Sequence, residues 1–240
     1  MVTIPVVAHP LFGTRIERVA ASRPVFRGPA VPGGSPRLPY VPGPFDIPPV
    51  STEYFWVRNI DRSHGTRRSR EEISAFFTPD PGLTYTEGLT VNDVWAAAGI
   101  EFRLIDIVEH SIDSDLADMM SEDTRIYYPL TDSLARSDAV NLFLSRALVA
   151  ASGRASGPYS PGGDLEAFAF LADLEGLSPT AARWQLDIVV IAHEFGHLLG
   201  LPHMPDESNL MHPWAGRGPT ALTNTQLRIA EARATVFPHL

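Results

Sequence analysis

The residues with the most chemistry in them lie in one stretch, Ala192–His203, which reads AHEFGHLLGLPH. His193 and His197 are four apart, and on a helix that spacing puts both imidazoles on one face, close enough to bind one ion. Glu194 sits beside the first histidine on the same turn, so its carboxylate can reach a water on that ion without ligating the ion itself. Gly200 ends the apolar run where a residue with positive φ lets the chain turn sharply, and His203 then returns as a third nitrogen. Three neutral imidazoles leave an open coordination position for water, which marks a catalytic rather than a structural zinc. Given this chain's share of His, Glu and Gly, the spacing arises by chance with a probability on the order of 4 × 10⁻⁵. Zinc lowers the pKa of a bound water from about 15.7 toward 7 and polarises a carbonyl. Glu194 is then the expected general base, placed to take the water proton and deliver it to a leaving group.

Composition narrows the alternatives. There is no cysteine, and all 19 basic residues are arginine, so lysine is absent too. Thiolate zinc sites, cysteine nucleophiles, Schiff bases, the P-loop and the kinase lysine are excluded together. A net charge of -9 argues against nucleic acid as the partner. The cluster Arg62, Arg67, Arg68 and Arg70, flanked by Asp61, Glu71 and Glu72, reads as a solvated loop. No apolar run approaches the ~18–20 residues of a membrane span. The N-terminus lacks a basic n-region and is interrupted by Pro5, His9 and Pro10, so a cleaved signal is not expected. Compartment and oligomeric state are left open.

Eleven of the 22 prolines fall within residues 1–50, a density that excludes helix interior and central strand. Residues 1–50 are therefore expected to be an extension: a tail, a strap, or a pro-segment whose Asp46 carboxylate occupies the open zinc position. Residues 51–240 have the pattern of one α/β domain. Strands are expected at Glu53–Ile60, Ile100–Ile107, Ala139–Leu144 and Leu165–Leu171, with a short helix at Val91–Ala98 ended by Gly99. Pro158–Asp164 is turn chemistry. The histidine-bearing helix runs through Ile188–Leu199, capped by Ser178 ahead of Pro179, or by Asp187 if residues 179–186 are loop. A final helix covers Leu222–Thr235, where Thr223 and Gln226 have capping-box spacing.

With these residues in view, the chain resembles the metzincin zinc metallopeptidases, and most of all a matrixin-like catalytic domain. Ser208-Asn209-Leu210-Met211 supplies the methionine turn, and Pro161-Gly162-Gly163 followed by Leu165–Phe170 is similar to the matrixin loop and substrate-pairing strand. The resemblance implies a zincin/metzincin-like α/β (α+β) fold: a twisted mixed sheet with an antiparallel edge strand, an active-site helix and a C-terminal helix. It implies an endopeptidase that binds protein or peptide substrates in extended conformation. In that family's terms Ala167, Phe168, Ala169 and Phe170 line the substrate by β-augmentation, and Pro213 and Trp214 bound the pocket after the scissile bond. It also implies one catalytic zinc, with calcium on the Pro161–Asp164 loop weakly signalled. The second, structural zinc of matrixins is not expected, since no histidine lies between His110 and His193. Met204 stands where matrixins usually have serine, and Pro213-Trp214-Ala215 where they have Pro-x-Tyr. Two other classes share these residues: a non-catalytic binding module on the same fold, against which the intact Glu194 argues, and a metal-dependent hydrolase of non-peptide bonds.

Overall fold

The structure, a computed structural model, describes residues 1–21, 53–84, 88–120, 130–131, 133–148, 152–157, 167–172, 180–213 and 220–237. The strands are β1 (Val2–Ala21), β2 (Glu53–Gly65), β3 (Ile100–Ile107), β4 (His110–Ile112), β5 (Val140–Ser145), β6 (Gly153–Ser156) and β7 (Phe168–Ala172). The helices are α1 (Arg70–Ala75), α2 (Val91–Trp95, continued by a 3-10 turn at Ala96–Ala98), α3 (Ser114–Asp118), α4 (Ala181–Leu198) and α5 (Asn224–Ala234). The sheet runs β2-β1-β5-β7-β6, with β3 and β4 also on β1. β1, β3, β5 and β7 are mutually parallel, and β6 is antiparallel to its neighbour β7. This is the expected α/β architecture, a mixed sheet with an antiparallel edge strand.

The chain divides into two compact units, Met1–Thr14 with Ile60–Leu240, and Arg15–Asn59. In the second unit the described residues are strand, Arg15–Ala21 of β1 and Glu53–Asn59 of β2. The first unit holds the sheet, the helices and the histidine motif.

Residues 1–14 correct the expected extension. They form the strand between β3 and β5, paired from Val2↔Ile100 to Ala8↔Ile107 on one side and from Val6↔Val140 to Pro10↔Leu144 on the other. Ile4, Val6, Val7, Ala8, Leu11 and Phe12 are buried. The prolines are tolerated because each missing N–H faces a gap in the ladder. Val2 N–H donates to Gly99 and Ala8 C=O accepts from Val108, so even-numbered residues point to β3 and odd ones to β5. Pro5 points to β5 one residue before that pairing begins, and Pro10 points to the break between β3 and β4. A proline there removes no ladder bond. The expected boundary at residue 50 therefore does not hold for the N-terminal fourteen residues.

Buried side chains cover both faces of the sheet. Ile4, Val6, Leu142, Leu144, Ala169 and Leu171 pack with α4 and α2 in one cluster, while Leu11, Phe143, Phe168 and Phe170 form another. His9 is a polar member of the central strand. Asn141 Oδ1 accepts from the Arg136 N–H at 2.7 Å and from His9 Nε2 at 3.0 Å. His9 Nδ1 is left to accept from His110 Nε2 at 2.9 Å, and burial holds the His9 pKa down to about 4.

The arginine cluster is also corrected. Arg68 is buried, where it pairs with Asp187 and, at 3.3 Å, with Glu72. Arg183 closes on Asp187 from one helical turn away at 2.9 Å. Two guanidinium groups on one buried carboxylate thus tie the Thr66–Ser69 segment to α4. Arg62 and Arg70 do lie toward the surface, on Glu109 and on the Ile107 carbonyl.

Candidate active site

Helix α4 carries the motif. It is capped by Thr180, whose hydroxyl accepts from the Arg183 N–H. Ser178 and Pro179 lie outside the described residues, and Asp187 sits two turns inside the helix, held there by its arginines. Ile188, Val189, Ile191 and Ala192 are buried, so the helix presents its histidines from a rigid, packed rod. The helix ends as the sequence implies. Gly200 has φ +70, Leu201 N–H reaches the Gly196 carbonyl at 2.9 Å and Gly200 N–H the His197 carbonyl at 2.8 Å, the paired bonds of a Schellman cap.

That cap and the methionine turn set the two helix ligands. His193 Nδ1 lies 2.7 Å from the Leu210 carbonyl and His197 Nδ1 lies 2.8 Å from the Leu201 carbonyl. A carbonyl only accepts, so both Nδ1 atoms carry the proton and both Nε2 atoms present a bare lone pair. Those lone pairs converge: His197 Nε2 is 3.1 Å from His193 Nε2 and 3.1 Å from His203 Nε2. The three ligand atoms lie within 4.8 Å of one another. Facing lone pairs at this range repel unless a cation lies among them. A tetrahedral zinc with bonds of about 2.0–2.1 Å holds its nitrogens about 3.3 Å apart, so the donor set fits zinc. Burial also keeps the ligands in the metal-binding neutral form, holding His193 down to about 4 and lowering His197.

The methionine turn is held from the C-terminal helix. Gln226, the reciprocal partner in the Thr223 capping box, exchanges two hydrogen bonds with Asn209 at 2.8 and 3.0 Å. Asn209 Oδ1 in turn accepts from the Met211 N–H at 3.0 Å. Met211 is fully buried, with its sulfur against Gly196. Glu194 is buried beside the ligands, and burial pushes its carboxyl up to about 8 against the opposing charge of Arg154. A divalent cation next to that carboxyl favours its ionised form.

The expected substrate strand is corrected. Ala167, Phe168, Ala169 and Phe170 are buried, and β7 lies between β5 and β6 with both ladders occupied. The terminal strand is β6, which the sequence did not mark because GRAS is short and carries no apolar alternation. Pro213 is exposed two residues beyond Met211, while Trp214, Asp46 and the Pro161–Asp164 loop lie outside the described residues.

Fold and site together place three convergent imidazole nitrogens and a buried, separate carboxylate on one packed helix and the turn that follows it. Residues 131–230, which contain the whole motif from His193 to Met211, match the profile of the Matrixin peptidase family. No curated protein sequence matches the chain. Among solved structures, metalloproteinase-II from Bacteroides fragilis is 15% identical with a TM-score of 0.47, covering 97% of this chain and 53% of its own. Archaemetzincin from Methanopyrus kandleri is 14% identical with a TM-score of 0.42, covering 56% of this chain and 78% of its own. The chain thus spans about half the length of the Bacteroides protein. Among the described residues no helix is long and apolar enough to cross a membrane.

Proposed function

We propose that the chain is a zinc-dependent endopeptidase in which Glu194 is the general base. The observation that carries this is the convergence of three imidazole Nε2 atoms, two of them fixed as lone-pair donors, beside a buried carboxylate that is not one of the ligands. Zinc held by His193, His197 and His203 supplies Lewis-acid activation of water and of the scissile carbonyl. Glu194 accepts the proton of the attacking water and delivers it to the leaving amine. The Leu210 and Leu201 carbonyls keep the His193 and His197 rings in one tautomer and orientation throughout.

An extended protein or peptide substrate would lie along β6, the terminal strand of the sheet, and add to it by main-chain hydrogen bonds. Pro213 is the described candidate for the wall of the pocket beyond the scissile bond. The test is digestion of casein by the full chain, with and without a chelator. Cleavage at internal bonds that chelator abolishes and zinc restores is the expected result. Zinc binding with no cleavage of casein or of a mixed peptide library would instead identify a binding module.

A further inference from the structure

Among the described residues no group donates a hydrogen bond to the Glu194 carboxylate, although its side chain is buried. Something other than hydrogen bonding must therefore fix where it points. The backbone of Gly153 in β6 stands closest to it, with Val190, one turn earlier on α4, beside the same point. A Cβ on residue 153 would stand 2.6 Å from Glu194 Oε1, 2.8 Å from Glu194 Cγ and 2.6 Å from Val190 Cγ1. Each is far inside the ~3.5–4.0 Å of an ordinary carbon contact.

The backbone on each side of this approach is held, so the carboxylate side chain is what must move. Gly153 is held in the antiparallel ladder opposite Leu171. Val190 and Glu194 are on a helix packed against β6, β7 and α2. Gly153 is also absent from the glycines with positive φ, so the backbone there is one any residue adopts. Glycine weakens a strand interior and is found there where something must approach closely. Here that something is the carboxylate.

We propose that Gly153 is the positioning residue for Glu194: the bare backbone of the terminal strand is the wall that sets the reach of the general base. The catalytic consequence rests on the endopeptidase reading, whereas the steric coupling does not. The test is a double-mutant cycle in the full chain with Gly153→Ala, Glu194→Ala and both, since Glu194→Ala removes two of the three colliding atoms. Gly153→Ala should keep ~one zinc per chain and KM within about twofold, while kcat falls on the order of tenfold to a hundredfold, as for a small misplacement of a reacting group. In the Glu194→Ala background the same substitution should shift the urea midpoint by less than half as much. Wild-type kcat in a folded, zinc-loaded Gly153→Ala protein overturns the proposal, as does an equal midpoint shift in both backgrounds. If Gly153→Ala does not fold, a folded double variant supports the coupling and an unfolded one overturns it. If the wild type cleaves no peptide, the endopeptidase reading fails and the unfolding cycle alone still decides on Gly153.

Discussion

Deleting residues 1–14 should abolish folding of the sheet-bearing unit. The deletion removes the strand that joins β3 and β4 to β5, and with it both hydrogen-bonded ladders of β1. It also removes Ile4, Val6, Val7, Leu11 and Phe12, all at most 2% exposed. At about 1.5–3 kcal/mol for each fully buried large side chain, the loss is on the order of 10 kcal/mol. A domain of this kind has a total stability of about 5–15 kcal/mol, so little or nothing is left, even before the unpaired edges of β3 and β5 are counted. The assay is a near-UV circular dichroism spectrum and a thermal melt of the 15–240 chain beside the full one. The truncated chain should show no cooperative transition. A cooperative melt within a few degrees of the full chain would refute the placement of β1 at the centre of the sheet.

Asp187→Ala leaves the Arg68 and Arg183 guanidinium groups buried without their carboxylate, at a cost of about 3–5 kcal/mol; a loss below about 1 kcal/mol by urea unfolding would contradict the cluster. His9 has its pKa depressed from 6.5 to about 4, so between those values the unfolded chain binds the extra proton. Its contribution is therefore complete above pH 6.5 and is lost as pH falls toward 4, about 3 kcal/mol in all. The His9 ring resonances should titrate near pH 4, and a midpoint at or above 6.5 would contradict the buried, neutral ring.

What was legible in the sequence is what short-range chemistry determines. The cluster of His193, His197 and His203, the Gly200 cap, the Thr223–Gln226 capping box and strand β3 are each written within a dozen neighbouring residues, and the structure shows each of them. What failed depends on partners distant in the chain. The prolines of β1 are compatible with a central strand only because β3, β4 and β5 leave gaps opposite them, and no local pattern announces a gap. Arg68 reads as solvated until Asp187, 119 residues away, is brought beside it. The edge position passed from Ala167–Phe170 to Gly153–Ser156 for the same reason. Strand order is a property of the assembled sheet, and the apolar run FAF marks a strand buried on both faces as readily as one that receives a substrate.

In the proposed endopeptidase the general-base role belongs to one carboxylate, Glu194, beside three histidines that would hold zinc. Glu194→Ala measures it most directly, by zinc content and rate of peptide hydrolysis on the same purified sample. On that assignment the variant should hold ~one zinc per chain, as in the wild type, with kcat/KM lower by several orders of magnitude, because the base is lost and the three histidines stay. Retention of more than about a few per cent of the wild-type rate at full zinc occupancy would contradict it.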